Sequence, residues 1–127
     1  MKFKTESLED EYISRPRRLR EICEKFDELS KKHKITATVT RVLERIDGSS
    51  GVHEAGRGVD FRNEVIAKNG SVFLYDSKTS KTIVDELNTL YPRTDGKKVC
   101  IHHSFNGGAY HFHIQIPVSW IEKGDKC

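Results

Sequence analysis

Two short segments near the C-terminal end constrain the fold of this chain more than any other feature. VCIHHSF (99–105) and AYHFHIQIP (109–117) are alternating runs of apolar and polar residues, and Asn-Gly-Gly lies between them. Alternating runs joined by a short glycine-containing connection are typical of a β-hairpin. We therefore expect an antiparallel sheet at this end of the chain.

Five other segments extend this prediction. Apolar residues recur at steps of three and four between Pro16 and His33, and again within SKTSKTIVDELNTLYPR (77–93). This spacing predicts two amphipathic helices. Further strands are predicted where β-branched or alternating apolar residues dominate. The two strands that matter most are KITATVTRVLERI (34–46) and GRGVDFR (56–62), and VFLY (72–75) is a third, shorter one.

Length and composition indicate one globular domain. The chain has 127 residues, of which 35% are hydrophobic and 32% charged. We predict a single domain over residues 1–127, of the α+β class, with two helices packed on a mainly antiparallel sheet. No apolar run approaches the roughly 18 residues of a membrane span. The N-terminus has no secretory signal pattern, so we expect synthesis in a cytoplasm.

Charge and cysteine content exclude several classes of site. Three cysteines without C-x-x-C spacing argue against a disulfide framework and against a thiolate zinc cluster. The net charge of +3 favours anionic partners only mildly. The basic run RPRRLR (15–20) is not joined by an aromatic platform or a known recognition motif, so we expect no specific nucleic-acid partner.

The segment AYHFHIQIP places two histidines on one face of its strand. Alternation puts His111, His113 and Gln115 on this polar face and apolar residues on the other. Side chains two residues apart on a strand lie roughly 6–7 Å from each other. One imidazole could therefore bind a metal ion while the other acts on a ligand of that ion.

The register of the hairpin decides whether another histidine joins this face. A two-residue turn at Gly107–Gly108 would pair His102 with His113 and place His102 on the polar face. A three-residue turn would shift the register and put Ile101 there instead. The sequence leaves both alternatives open.

The segment SGVHEAGRGVDFR (50–62) offers two more ligands for a metal. His53 precedes a glycine-containing turn, and Asp60 follows it on the polar side of the predicted strand. Two histidines and a carboxylate are a common zinc set with an open fourth position. Either motif alone is more often an ordinary polar surface, but together they predict a site formed by His53, Asp60 and His113. Gly56 and Gly58 would let the backbone turn tightly between the ligands.

At these residues the chain resembles a known family. SGVHEAGRGVDF is similar to the motif H-x-x-G-x-A-x-D of the zinc D-alanyl-D-alanine carboxypeptidase and L-alanoyl-D-glutamate endopeptidase family. HFH is similar to the H-x-H motif of the wider lysostaphin, D-Ala-D-Ala peptidase and hedgehog group. The similarity covers roughly residues 15–117, and it implies a hedgehog/D-Ala-D-Ala-peptidase-like fold.

The resemblance also implies roles for individual residues. His53, Asp60 and His113 would bind Zn²⁺, and His111 would be the catalytic first histidine of H-x-H. Arg57, which follows the motif glycine, would contact substrate. The implied activity is hydrolysis of an amide of the peptidoglycan stem peptide, in which the metal activates water.

The chain departs from the family motif at two places. Gly58 stands where the family has alanine, a change that we expect to be harmless. Many members carry a catalytic Glu or Asp three or six residues before the last ligand, where this chain has Tyr110 and Gly107. Three other residues are candidates for proton transfer in its place, namely His111, His102 and Glu54.

Two functions follow as hypotheses. The first is a zinc-dependent metallopeptidase that cleaves peptidoglycan stem peptides or cross-links. A bare catalytic domain of this kind suggests an endolysin-like protein of a phage or prophage, acting at the cell wall after release or as part of a virion. The alternative, favoured by the missing carboxylate, is an inactive zinc-binding structural or recognition domain on the same fold, for example a virion component.

Overall fold

The structure of the protein is a computed structural model. It describes residues 1–44, 51–53, 55–62, 64–66, 72–74, 77–103 and 110–125. Three α-helices lie within these ranges, and they are α1 (Glu6–Ile13), α2 (Arg17–Lys32) and α3 (Ser77–Leu90). The strands are β1 (Lys2–Phe3), β2 (Thr38–Arg41), β3 (Gly58–Arg62), β4 (Glu64–Ile66), β5 (Val72–Leu74), β6 (Cys100–His103) and β7 (His111–Gln115).

A five-stranded sheet in the order β1-β2-β3-β7-β6 is the centre of the fold. The pair β1–β2 is parallel, and the other pairs of this sheet are antiparallel. The strands β4 and β5 form a separate two-stranded antiparallel sheet. The predicted α+β class with a mainly antiparallel sheet is therefore confirmed.

Both predicted helices are present, and α1 is an additional one. The sequence of α1, ESLEDEYI, buries only Leu8 and Tyr12, so its apolar pattern is too sparse to recognise. Its start is marked by Thr5, whose hydroxyl accepts a hydrogen bond from the Leu8 backbone N–H at 3.3 Å. None of the helices found in the described ranges is both long enough and apolar enough to cross a membrane.

The strand predicted over residues 34–46 is shorter in the structure, where it spans only Thr38–Arg41. The first residues of the predicted strand instead form the turn that follows α2. Lys34 has φ 60°, a left-handed conformation that does not occur in a strand. The C-terminal part of this segment, from residue 45, lies outside the described residues, as does residue 75 of the predicted strand VFLY.

The apolar face of the sheet packs against the helices. The ring of Phe26 on α2 lies 4.6 Å from that of Phe61 and 4.9 Å from that of Phe112, measured between centroids. All three side chains are fully buried. Burying a side chain of this size contributes about 1.5–3 kcal/mol. The helix-packed face is therefore the core, and the residues that alternate with it are directed to the other side of the sheet.

The pairing of β6 with β7 settles the hairpin register. Ile101 pairs with His113, His102 with Phe112, and His103 with His111. Since directly paired residues share a face, His102 lies on the core side, and its placement on the polar face is wrong. This is the shifted register that puts Ile101 opposite His113. The turn residues Gly107 and Gly108 lie outside the described residues.

Candidate metal centre

Three buried side chains converge on the polar side of β3 and β7. Asp60 and His113 are direct cross-strand partners, and His53 reaches them from the turn before β3. Their exposed fractions are 4% for His53, 4% for Asp60 and 7% for His113. Candidate ligand atoms of the three lie within 4.8 Å of one another, in the one such group found among the described residues. This group could hold a metal ion.

Asp60 is the centre of this group. Its Oδ1 lies 2.7 Å from Nδ1 of His113 and 3.1 Å from Nε2 of His53. Burial raises the pKa of Asp60, but hydrogen bonds and positive charge from His113 and His53 in their protonated forms outweigh it and hold the pKa well below its usual range. Asp60 is therefore ionised at neutral pH, as a metal ligand must be.

The turn between the two ligands depends on one of the predicted glycines. Gly56 has φ 74°, in the left-handed region that favours glycine. The turn is closed by backbone hydrogen bonds from Gly56 N to His53 O at 2.9 Å and from Arg57 N to Val52 O at 2.9 Å. It therefore fixes the path from His53 to the start of β3.

Gly58 serves a different purpose, since it belongs to β3 and not to the turn. A Cβ atom at this position would lie 2.6 Å from Cγ1 of Val52 and 3.1 Å from Cε1 of His113. Both distances are shorter than ordinary van der Waals contacts. Glycine therefore fits here, and the alanine of the family motif would press on a candidate ligand.

The outer nitrogen of His53 donates to a backbone carbonyl. Nδ1 of His53 lies 2.8 Å from the Val42 oxygen, which can only accept a hydrogen bond. Nδ1 therefore carries a hydrogen. In the neutral ring the other nitrogen, Nε2, then presents a lone pair towards Asp60.

The outer nitrogen of His113 is held by a side chain. Nε2 of His113 lies 3.2 Å from Oε1 of Gln115, and the amide nitrogen of Gln115 donates to the Lys98 carbonyl at 3.0 Å. Because the amide nitrogen faces Lys98, the amide oxygen faces His113 and accepts a hydrogen from Nε2 in the tautomer that carries one there. In the neutral ring Nδ1 then presents its lone pair towards Asp60.

These hydrogen bonds favour ring tautomers in which three atoms with lone pairs face one another. In the neutral tautomers with hydrogen on Nδ1 of His53 and on Nε2 of His113, no hydrogen lies between Nε2 of His53, Nδ1 of His113 and Oδ1 of Asp60. A proton on one imidazole would satisfy one pair of these atoms, whereas a metal ion would satisfy all three at once. The donor set and its outer hydrogen bonds therefore fit a bound cation.

Arg41 holds the other oxygen of the Asp60 carboxylate. Its Nε donates to Oδ2 at 2.8 Å, and its side chain is largely buried. The contact directs Oδ2 away from the two imidazoles and leaves Oδ1 to face them. Sequence reasoning missed Arg41, because a basic residue in a predicted strand carries no sign of the partner that it meets across the sheet.

His111 and His103 lie beside the three converging side chains. Nε2 of His111 is 3.7 Å from Oδ2 of Asp60, and the rings of His103 and His111 are 4.6 Å apart. Burial and the neighbouring His111 lower the pKa of His103. His103 was missed, although adjacent histidines on a strand face opposite sides, so one of the HH pair had to share the face of His111.

The remaining predicted site residues lie elsewhere or are not described. The ring of His102 packs 4.6 Å from that of Phe112 and 5.4 Å from that of the exposed Tyr110. The guanidinium of Arg57 donates to the Ile116 carbonyl at 3.0 Å, which ties the turn to the end of β7. Glu54 and Gly107 lie outside the described residues.

Comparisons with known proteins assign no family to this centre. No protein-family model matches the chain, and searches of curated proteins and of solved structures found no match. The chemistry of the centre therefore has to be inferred from its own side chains.

Proposed function

We propose that this chain is a zinc-dependent peptidase that hydrolyses peptide bonds of peptidoglycan stem peptides or cross-links. The observation that carries the proposal is the convergence of two imidazole nitrogens and one carboxylate oxygen whose outer hydrogen bonds leave their lone pairs facing inwards. The proposal includes a hedgehog/D-Ala-D-Ala-peptidase-like fold, which rests on the sequence resemblance, and a phage or prophage origin.

The donor set favours zinc over the common alkaline-earth ions. Ca²⁺ and Mg²⁺ prefer six or more oxygen ligands, whereas His53 and His113 supply nitrogen. Three protein ligands leave a fourth position open, as in catalytic zinc sites. When bound there, zinc would supply Lewis acidity that activates water and polarises a carbonyl group.

His111 is the residue that we propose for proton transfer. It lies on the same strand and face as His113, its Nε2 is 3.7 Å from Oδ2 of Asp60, and its side chain is 18% exposed. His103 packs against its ring and would hold its orientation. This pair takes the place of the missing family carboxylate, and the proposed role passes from His102 to His103 because of the observed register.

Peptidoglycan as the substrate is supported by sequence features. The two metal motifs resemble those of enzymes that act on stem peptides, and the net charge of +3 suits an anionic cell wall. The guanidinium of Arg57 donates to the Ile116 carbonyl, and the proposed contact of Arg57 with substrate stays a prediction.

A second candidate function is a zinc-binding structural or recognition domain without catalysis. The observation that favours it is Tyr110, which stands at one of the two positions where many family members carry the catalytic carboxylate and which is exposed next to His102. This function predicts that zinc binds and stabilises the fold without any hydrolysis.

The test combines metal analysis of the purified protein with a digest of purified peptidoglycan, whose products are identified by mass spectrometry. We expect one equivalent of zinc and released stem-peptide fragments for the wild type. His113→Ala should lose both, and His33→Ala, at the end of α2 and away from the centre, should keep both. Zinc without hydrolysis would support the second candidate function, and failure to bind zinc would refute both.

A further inference from the structure

We infer that Gln115 is a positioning residue of the metal centre, which favours the metal-binding tautomer of His113 and thereby raises the affinity for the metal. The inference deepens the proposed function and rests on its metal-binding part, but not on the identity of the substrate. Gln115 follows His113 by two residues on β7 and shares its face of the sheet.

The orientation of the Gln115 amide is fixed by two partners of opposite kind. The Lys98 carbonyl, 3.0 Å away, requires a donor, and this directs the amide nitrogen to it. The amide oxygen is then the atom that lies 3.2 Å from Nε2 of His113. A backbone hydrogen bond from Gln115 N to Val99 O at 2.9 Å holds the residue in register beside Lys98.

The hydrogen bond between Gln115 and Nε2 of His113 matters because Asp60 competes for the hydrogen of the His113 ring. Without an acceptor at Nε2, the neutral ring of His113 can carry its hydrogen on Nδ1, where it would donate to the Asp60 carboxylate at 2.7 Å. A hydrogen bond to a charged acceptor is stronger than one to a neutral amide. The proton would then occupy the nitrogen that the metal needs, so the metal would have to displace it. Gln115 opposes this competing tautomer.

The two histidines of the centre differ in how their tautomers are set. Nδ1 of His53 donates to the Val42 backbone carbonyl, an acceptor that no side-chain substitution removes. His113 depends on a side chain, so its tautomer can be changed by mutation. Partners of this kind change metal affinity by about 10- to 100-fold when removed.

The test measures zinc dissociation constants by chelator competition for Gln115→Met, Gln115→Glu and the wild type. Gln115→Met keeps the side-chain length but removes the acceptor, and we expect a loss of affinity of about 10-fold or more. Gln115→Glu keeps an acceptor for His113, loses the donor to Lys98 and adds a negative charge, so we expect an affinity at least as high as that of the wild type.

Asn88→Ala is the matched control. Asn88 is also a side-chain amide that bonds to the backbone, in this case that of β6, with distances of 3.0 Å to Cys100 O and 2.9 Å from Cys100 N, and it is not bonded to a candidate ligand in these contacts. We expect it to lower the thermal stability of the metal-free protein while zinc affinity stays unchanged. A general loosening of β6 would instead weaken zinc binding in Asn88→Ala as well, which would contradict the inference.

Nitrogen-15 chemical shifts of the His113 ring give a readout that a purely structural role would not change. In the metal-free protein with a neutral ring we expect a larger fraction of the Nε2–H tautomer in the wild type than in Gln115→Met, where the Nδ1–H tautomer should dominate. The inference is overturned if Gln115→Met binds zinc as tightly as the wild type or shows the same ratio of tautomers. If the wild type itself binds no zinc, the proposed function fails instead, and the two failures are distinguishable.

Discussion

The two faces of the β3–β7 strand pair share one backbone and are almost equally buried, but they are stabilised in different ways. On the helix-packed face Val59, Phe61, Phe112 and Ile114 are fully buried and contact other apolar groups. On the opposite face Asp60 and His113 are nearly as inaccessible and have polar partners. Buried polar groups are costly unless they are paired. The helix-packed face is therefore stabilised by apolar contacts alone, whereas the opposite face would be stabilised further by a bound cation.

The largest effect is expected on the helix-packed face. Phe61→Ala removes a ring that packs on Phe26 and should lower the free energy of unfolding by about 3–5 kcal/mol. Because this loss has nothing to do with the metal centre, denaturant unfolding should show the same difference with zinc and with a chelator. A difference that vanished in chelator would mean that the two faces are not independent.

The next effect concerns the polar face. Zinc present at 100 times its dissociation constant should stabilise the wild type by about 2.7 kcal/mol. His113→Ala should remove this zinc-dependent increment, since it removes a ligand. The measurement is thermal unfolding with and without zinc. An increment that survives in His113→Ala would place the bound ion elsewhere.

A smaller effect is expected from steric crowding at the metal centre. Gly58→Ala introduces a methyl group against Val52 and the His113 ring, and overpacking of this kind costs about 1–3 kcal/mol. We expect weaker zinc binding along with the lower stability, because the ring that moves carries a ligand. Val59→Ala, the neighbour on the apolar face, is the control that should lower stability and leave zinc affinity intact.

The smallest effect distinguishes the adjacent histidines of β6. His103→Gln should reduce the peptidase activity by about 10-fold, because its ring packs against His111. His102→Gln faces the other side of the sheet and should leave activity near the wild-type value. The comparison of kcat/KM for the two variants tests the register directly. A larger loss in His102→Gln than in His103→Gln would instead support the register that pairs His102 with His113.

The sequence predicts those parts of the structure that depend on local periodicity. The helix α2 and the strands β3 and β7 follow from apolar spacing, and the motif spacing identified the three side chains that converge. The register of β6 could not be predicted, because it depends on the length of a turn and not on alternation. Arg41 was missed, and Gln115 was placed on the polar face without a role, because the contacts that Arg41 makes with Asp60 and Gln115 makes with Lys98 join segments that are distant in the sequence.

The most direct test of the metal centre is zinc K-edge X-ray absorption of the zinc-loaded protein. We predict a first shell of nitrogen and oxygen at about 2.0–2.1 Å with the outer scattering of two imidazoles. His113→Ala, if it retains any zinc, should show one imidazole fewer. A shell that contains sulfur, or an imidazole count that does not change in His113→Ala, would contradict a site formed by His53, Asp60 and His113.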